Sequence, residues 1–131
     1  LMFGAKEGEK MKEELARFRR RVLHVRRILS NPEITSFTLV TIPEKMGVNE
    51  TVRAHEALME FELPVKGCVI NRMTPDLDHE FIQRRKASES TNVDSLKNAL
   101  PGLVYKEIEL LDSDVYGLEA LRKMFSSLHV F

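Results

Sequence analysis

The sequence predicts an α/β fold in which three parallel strands are each followed by a helix and one long helix comes first. Three short runs rich in β-branched residues alternate with longer segments whose apolar residues recur every three or four positions. Strands that alternate with helices form a parallel sheet with right-handed crossovers. Three strands are few for a free-standing doubly wound domain, so the pattern indicates one half of a larger α/β domain.

The first segment predicts a basic amphipathic helix from about Lys6 to Leu29. Its apolar residues alternate at spacings of four and three along a single stripe: Met11, Leu15, Phe18, Val22, Val25 and Leu29. Arginine side chains cover the rest of the circumference, and Asn31-Pro32 ends the helix. A helix of this kind needs a partner helix, which this chain, a second copy or another part of the protein would supply.

The first strand is predicted at 37–42, a nearly continuous apolar run typical of a strand that is buried on both faces of a parallel sheet. Pro43 ends it. The second helix is predicted from about Asn49, interpreted as its N-cap, to Glu62. The residues between Pro43 and Asn49 are therefore expected to form a loop.

The second strand is predicted at 65–71, after Pro64 has broken the preceding helix. Residues 75–99 form a helical pattern that a polar segment at 88–92 interrupts. The third helix is therefore expected in two pieces, on either side of that segment.

The third strand is predicted at 103–110, after a turn at Pro101-Gly102. A loop at 112–114 leads to a closing amphipathic helix at 117–128, whose apolar residues again follow helical spacing. The chain shows no internal repeat, so these elements are read as parts of one fold.

The composition is that of one globular domain. The 131 residues are 43% hydrophobic and 31% charged, which suffices for a single core.

No apolar run approaches the roughly 20 residues that span a bilayer, and the first residues lack the features of a secretory signal. The single cysteine, Cys68, excludes an internal disulfide. We expect a cytoplasmic protein without direct membrane insertion.

A net charge of zero conceals a charge asymmetry. Residues 1–30 hold nine Lys and Arg against four Asp and Glu, a net charge of +5, and residues 31–131 carry −5. A basic segment of this kind is either an arm for an acidic partner or a solvated helix on an acidic body. The regular apolar stripe favours the solvated helix, and we expect no nucleic-acid partner.

Polar residues follow the predicted strands where ligands bind in open parallel sheets, at the carboxyl ends. Asn71 lies at the end of the second strand, and Glu44 and Glu50 lie after the first. The amide of Asn71 complements the hydrogen-bonding edge of an adenine, or it satisfies loose backbone groups at the strand end. Glu44 and Glu50 would face a nucleotide or a partner, or Glu50 is a first-turn acid favoured by the helix dipole.

Phosphate-binding and metal-binding motifs are absent from the sequence. It has no G-x-x-x-x-G-K-[ST] and no other glycine-rich loop to cradle phosphates and Mg²⁺. Its four histidines have no metal-ligand spacing, and with one cysteine no zinc site is expected. The isolated chain is therefore predicted to lack catalytic residues, to hydrolyse no nucleoside triphosphate and to bind no cofactor tightly.

Three linked segments carry a family resemblance. They are SNPEITSFTLVTIPEKMGVNETVRAHEAL, VKGCVINRMTPD, and a strand leading into DSDVYGLEALRKM. In order and spacing, over residues 10–128, the chain resembles the arsenite-pump (anion-transporting) ATPase family. That family includes the ATPases that target tail-anchored membrane proteins, and its archaeal members are the most similar.

The resemblance implies the carboxyl-terminal half of a deviant P-loop NTPase domain. The family's phosphate-binding loop would lie N-terminal to the matching stretch, and a first residue Leu1 is interpreted as a cut from a longer protein. The parent would be a dimer that uses ATP and Mg²⁺ and couples ATP hydrolysis to client delivery or ion extrusion. Its partner would be a client membrane protein or an arsenite channel.

The resemblance also implies roles for individual residues. Asn71 would contact adenine, Glu44 and Glu50 would lie at the nucleotide-facing dimer interface, and the 110–117 loop would wrap the adenosine. The expected nucleotide-binding residues are thus Asn71, Glu44, Glu50, Leu110, Leu111 and Asp112. Residues 1–30 would come from the helical client-facing subdomain, and residues 31–131 would belong to the nucleotide-binding domain.

The chain departs from the family pattern in two places. Glu109 and Tyr116 stand where family members often carry Pro and Arg in the adenosine loop, and residues 74–78 lack the Cys-x-x-Cys of the eukaryotic targeting ATPases. A second function class also stays open, namely a stand-alone binding or dimerisation module that has lost the catalytic half. A glycine-rich loop with Lys and Ser or Thr upstream in the reading frame would distinguish the two.

Overall fold

The computed structural model describes residues 3–127, with side chains described for residues 7–125. Four helices and three strands alternate as predicted. They are α1 (Phe3–Leu29), β1 (Phe37–Thr41), α2 (Lys45–Glu60), β2 (Val65–Met73), α3 (Glu80–Ala99), β3 (Val104–Glu109) and α4 (Gly117–Ser127). The strands form one parallel sheet in the order β1-β2-β3, which confirms the predicted α/β class with its long first helix. Leu128, the predicted last residue of the fourth helix, lies outside the described residues.

The core lies between the sheet and helices α2 and α3. Cys68 and Ile70 of β2 are fully buried and form one cluster with Val48 of α2 and with Val93 and Leu96 of α3. Both helices lie on the same face because each right-handed crossover moves one strand further in the same direction. The core is therefore built almost entirely by the middle strand and two helices.

The opposite face of the sheet is open in the described part of the chain. Val40 of β1 and Val104 of β3 point away from the helices, and they are 67% and 51% exposed. The prediction that the first strand is buried on both faces is thus wrong for these residues. Its apolar composition suits a covered face, but α2 and α3 cover only the other one.

Helix α2 begins four residues before its predicted N-cap. Glu44 is the N-cap residue, in extended conformation, and Asn49 is an exposed residue inside the helix. The early start depends on Gly47, where an added Cβ would lie 3.0 Å from the carbonyl oxygen of Ile42. The missing side chain lets the first turn pack directly onto the end of β1. The helix also ends earlier than predicted, because Glu62 adopts a left-handed conformation with φ of 57°.

Helix α3 is continuous, so the predicted polar break at 88–92 is wrong. It begins later than predicted, at Glu80, where Nδ1 of the N-cap residue His79 accepts a hydrogen bond from the backbone of Phe81. Glu89, in the middle of the supposed break, is 3% exposed and faces inwards. The helix continues through this segment because Glu89 finds hydrogen-bond partners in the interior.

The backbones of helices α1 and α4 lie away from the other described helices and strands. Within residues 3–127 no Cα atom of either helix lies within 8 Å of another helix or strand. The end of α1 is held by a hydrogen bond from Thr35 Oγ1 to the carbonyl of Ile28 (2.8 Å) and by an Arg26–Glu62 ion pair (3.7 Å). Its apolar stripe is exposed, with Phe18 at 66%. No helix in the described range has the length and apolarity needed to cross a membrane.

Candidate functional site

The carboxyl ends of the three strands lie side by side and are tied together by hydrogen bonds. The backbone N–H of Leu110 donates to the carbonyl of Met73 (2.8 Å), which extends the pairing of β3 with β2. The Asn92 side chain of α3 donates to the carbonyl of Pro43 at the end of β1 (3.1 Å). This edge is where a parallel sheet of this class binds ligands.

Asn71 lies in an irregular part of β2 and not at its last position, because the strand continues to Met73. The register with β3 shifts between Ile70 and Met73, and Arg72 adopts a left-handed conformation with φ of 64°. Asn71 Oδ1 accepts a hydrogen bond from the backbone of Arg72 (2.9 Å). Irregularities of this kind redirect side chains near functional sites. The half-buried Asn71 amide keeps its Nδ2 donor without a partner among the described residues.

Asn71 and Glu50 line the same cavity, between the end of β1, the start of α2 and the end of β2. The cavity has a volume of about 300 Å³ and is bounded by Val40, Thr41, Ile42, Gly47, Glu50, Thr51 and Asn71. Glu50 forms an ion pair with Arg53 one helical turn further on. The structure therefore brings together two of the predicted site residues, one an amide and the other a carboxylate.

Glu44 lies at the edge of a different, smaller cavity. That space of about 80 Å³ also borders Leu110, Arg72 and Arg85. The Glu44 carboxylate forms an ion pair with the Arg85 guanidinium, 3.6 Å away. Because Glu44 is also the N-cap residue of α2, its position is set by the same turn that Gly47 allows.

The loop after β3 borders the smaller of these cavities through Leu110 and a third, larger cavity through the residues that follow. Leu111 and Asp112 border a cavity of about 580 Å³ between the end of β3 and helix α4. Leu110 and Leu111 are 44% and 50% exposed, and Asp112 accepts a hydrogen bond from the Ser113 hydroxyl (3.1 Å). The six predicted residues thus lie along one edge of the sheet but in three separate spaces.

Sequence reasoning missed a polar cluster behind this edge, formed by the buried residues Glu89 and Thr74 and by the more exposed Arg85. Glu89 Oε1 accepts a hydrogen bond from the Thr74 hydroxyl (2.6 Å), and Oε2 accepts one from the Thr74 backbone (2.9 Å). Arg85 Nε donates to Glu89 Oε1 (2.9 Å) and to the Thr74 hydroxyl oxygen (3.1 Å). The signal was present, since Glu89 lies four residues after Arg85 and in helical register with Val93 and Leu96.

The cluster keeps Glu89 ionised although it is buried. Burial opposes the charged form, but hydrogen bonds from Thr74 and Arg85, with the charge of Arg85, outweigh it and lower the pKa of Glu89. A buried carboxylate costs free energy unless it is paired and hydrogen-bonded, and here both carboxylate oxygens are occupied. The Glu89 carboxylate is therefore a fixed negative charge beneath the ends of β1 and β2.

The remaining ionisable groups in the described range do not assemble a metal centre. No group of three His, Cys, Asp or Glu side chains in it is arranged to hold a metal ion. Burial raises the pKa of the Cys68 thiol to about 11, so it is neutral and unreactive at neutral pH. The chemistry at this edge is consequently that of hydrogen-bond donors, carboxylates and guanidinium groups.

A parallel α/β unit with polar side chains at the carboxyl edge of its sheet is an architecture that many nucleotide-binding domains share. The model of the anion-transporting ATPase family matches residues 1–129, and the chain belongs to that family. The family resemblance found in the sequence is thereby confirmed.

Individual relatives cover nearly all of this chain but only part of their own length. The chain is 31% identical to ATPase GET3C of Arabidopsis thaliana over 95% of its residues and 33% of that protein. It is 30% identical to ATPase GET3B of the same plant, over 92% of the chain and 31% of the relative. An Aquifex aeolicus relative, named as an arsenical pump-driving ATPase, is 30% identical over 84% of the chain and 29% of its own length. The chain spans about a third of the length of these relatives.

Proposed function

We propose that this chain is the carboxyl-terminal part of the nucleotide-binding domain of an anion-transporting ATPase, where it contacts the adenosine moiety of ATP. The phosphate-binding loop and the Mg²⁺ site belong to a preceding part of the same protein. The family membership and the absence of a glycine-rich phosphate loop from these 131 residues support this division. So does the length of the relatives, which is about three times the matched stretch.

The observation that carries the proposal is the position of the Asn71 amide at the carboxyl edge of β2. Its Nδ2 group has no partner among residues 7–125, and it borders an open cavity. An asparagine amide both donates and accepts, which matches the N6 amino group and a neighbouring ring nitrogen of adenine. Guanine carries an oxygen where adenine carries the amino group, so this contact distinguishes ATP from GTP.

The other predicted residues are assigned to the surroundings of the nucleotide. Glu44 and Glu50 lie at the interface between two ATPase subunits, where their carboxylates face the bound nucleotide of the dimer. Leu110, Leu111 and Asp112 cover the adenosine. The exposure of both leucines supports this role, since a bound adenosine would shield apolar surface that is now open.

The domain division that we propose is supported by the separation of α1 from the sheet. Residues 1–30 belong to the helical, client-facing subdomain, and residues 31–131 belong to the nucleotide-binding domain. The gap between α1 and all other described elements supports this division. The complete ATPase works as a cytoplasmic homodimer and couples ATP hydrolysis to delivery of a client membrane protein or to extrusion of an anion. The names of two relatives, ATPase GET3C and an arsenical pump-driving ATPase, support the ATPase activity, and the second also supports extrusion of an anion.

The decisive experiment replaces Asn71 in the complete ATPase. Asn71→Ala leaves one polar edge of the base unpaired, which costs about 1–3 kcal/mol, so ATP affinity falls roughly 5- to 150-fold. The preference for ATP over GTP falls with it. Asn98→Ala, at an exposed position of α3, is the matched control and leaves both affinities unchanged. A lowered melting temperature with unchanged ATP/GTP selectivity would instead assign Asn71 a structural role.

A further inference from the structure

The end of β2 holds a strained conformation next to Asn71. Arg72 has a backbone φ of 64°, which lies in the left-handed region that residues other than glycine rarely adopt. The strand register is irregular over the same residues. Such strain persists only where the surroundings impose it from several sides. The structure should therefore contain groups that hold the chain next to Arg72.

Two sets of hydrogen bonds hold the residues that follow Arg72. On one side, Leu110 donates its backbone N–H to the carbonyl of Met73 (2.8 Å). On the other side, Glu89 accepts both the backbone N–H and the hydroxyl of Thr74, at 2.9 and 2.6 Å. Thr74 is 8% exposed and Glu89 is 3% exposed, so solvent does not loosen these contacts. The chain two and three residues after Asn71 is thus fixed from both flanks.

The Glu89–Thr74 contact orients the chain at the end of β2 and does not add apolar contacts to the core. Val93 and Leu96 on the same face of α3 already fill the core. A buried charged network seldom stabilises a protein more than apolar residues of similar volume would. Its specific donors and acceptors do, however, constrain the orientation of the groups that they join. Here both carboxylate oxygens bind the same residue, which fixes the position and the rotation of the Thr74 backbone.

Arg85 extends this constraint towards β1. Its Nε contacts Glu89 and Thr74, and its Nη2 lies 3.6 Å from the carboxylate of Glu44 at the start of α2. One guanidinium group therefore connects the ends of both strands that border the proposed adenine site. The geometry of that site depends on α3 through this connection, although α3 itself does not border the cavity at Asn71.

We infer that Glu89 is a positioning residue for nucleotide selection: through Thr74 it holds the β2 end in the conformation that points the Asn71 amide at the base. This inference rests on the proposed function, because it concerns the same adenine contact. Glu89 does not touch the nucleotide and is not a catalytic residue. Its effect is transmitted through the backbone of residues 72–74.

The test uses Glu89→Gln in the complete ATPase, since glutamine keeps the size but places an amide donor where one Thr74 donor must bind. Binding of fluorescent ATP and GTP analogues gives the selectivity, and hydrogen exchange of residues 71–74 reports the backbone without nucleotide. We expect selectivity for ATP to fall roughly 2- to 10-fold, as for loss of one hydrogen bond of ordinary strength, together with faster exchange. Asp94→Asn, an exposed carboxylate on the same helix, is the matched control and changes neither quantity.

Two variants of Thr74 distinguish an effect on the orientation of the β2 end from an effect on the stability of the whole fold. Thr74→Ser keeps the backbone and hydroxyl donors to Glu89 and is expected to retain the selectivity for ATP over GTP. Thr74→Val removes the hydroxyl donor and is expected to lower this selectivity as Glu89→Gln does. Glu89→Gln should also add little to Asn71→Ala, because both act on one contact. A lowered melting temperature with unchanged selectivity in Glu89→Gln overturns the inference while Asn71→Ala still supports the proposed function. Unchanged selectivity in Asn71→Ala overturns both.

Discussion

Glu89 on helix α3 and Thr74 at the end of strand β2 are joined by two hydrogen bonds across 15 residues of sequence, at 2.6 and 2.9 Å. This pair connects the helical layer to the edge of the sheet where the ligand site of the fold lies. Arg85 supports the pair from the preceding turn of α3. The stability of that edge therefore depends on the ionisation of one buried carboxyl group.

The first prediction concerns the acid sensitivity of the fold. The pKa of Glu89 is lowered in the folded protein, so the free energy of unfolding contains a contribution that is present above its ordinary value of 4.5. That contribution is lost as the pH falls through the lowered pKa, when the carboxyl group is protonated. Urea unfolding between about pH 6 and pH 3 should show a steeper loss of stability in the native chain than in Glu89→Gln. Parallel curves for the two proteins would contradict it.

Most strands were predictable because their signals are local. The first and third strands are short β-branched runs close to Pro43 and Pro101, and the structure places them within a residue or so of the prediction. The carboxyl-edge rule likewise located Asn71 and Glu50, which line one cavity. Each of these inferences needs only neighbouring residues and the general geometry of parallel sheets.

The failures arose where a distant residue decides the local structure. The start of α2 depends on Gly47 meeting the backbone of Ile42, and a glycine near a proline resembles a loop in sequence. The supposed break in α3 contains Glu89, whose burial depends on hydrogen bonds from Thr74, a residue just after β2 and 15 positions earlier in the chain. The assignment of Leu110, Leu111 and Asp112 to the adenosine stays a prediction, because it comes from the resemblance and these residues border other cavities than Asn71 does.

The second prediction concerns the thiol of Cys68. Burial raises its pKa from 9.0 to about 11, so the reactive thiolate is roughly 100-fold rarer than in an exposed cysteine at the same pH. Labelling by a thiol reagent at about pH 8 should thus be at least roughly 100-fold slower in the folded protein than in urea. The exposed variant Ser90→Cys, in a Cys68→Ala background, should react at the unfolded rate. Rapid labelling of native Cys68 would contradict the buried position.

The same thiol also sets an alkaline limit on stability. Because its folded pKa is higher than its unfolded value, the protonated thiol favours the folded state fully below about pH 9, and this advantage is lost as the pH rises through about 11. Cys68→Ala should flatten that part of the pH profile while lowering stability at neutral pH, because it leaves a small cavity beside Ile70. An unchanged alkaline profile would argue against the raised pKa.

The third prediction concerns the apolar stripe of α1. Six side chains along it are each 38% to 66% exposed, and burying them in a partner would contribute on the order of 10 kcal/mol before entropy costs. We therefore expect the chain to self-associate through α1. Phe18→Asp should weaken this association in sedimentation experiments. Ala16→Asp, which adds the same charge away from the stripe, should have a smaller effect. A monomeric native chain with an exposed, ordered α1 would contradict the proposal.

The fourth prediction concerns the close contact between Gly47 and the end of β1. An added Cβ would lie 3.0 Å from the carbonyl oxygen and 3.1 Å from Cγ1 of Ile42, so Gly47→Ala must displace the first turn of α2 or the strand end. Overpacking of this kind costs about 1–3 kcal/mol, which urea unfolding would detect. Gly8→Ala is the matched control: its Cβ meets nothing within 4 Å, so the higher helix propensity of alanine should leave stability unchanged or raise it. Equal effects of the two substitutions would show that the start of α2 does not depend on this contact.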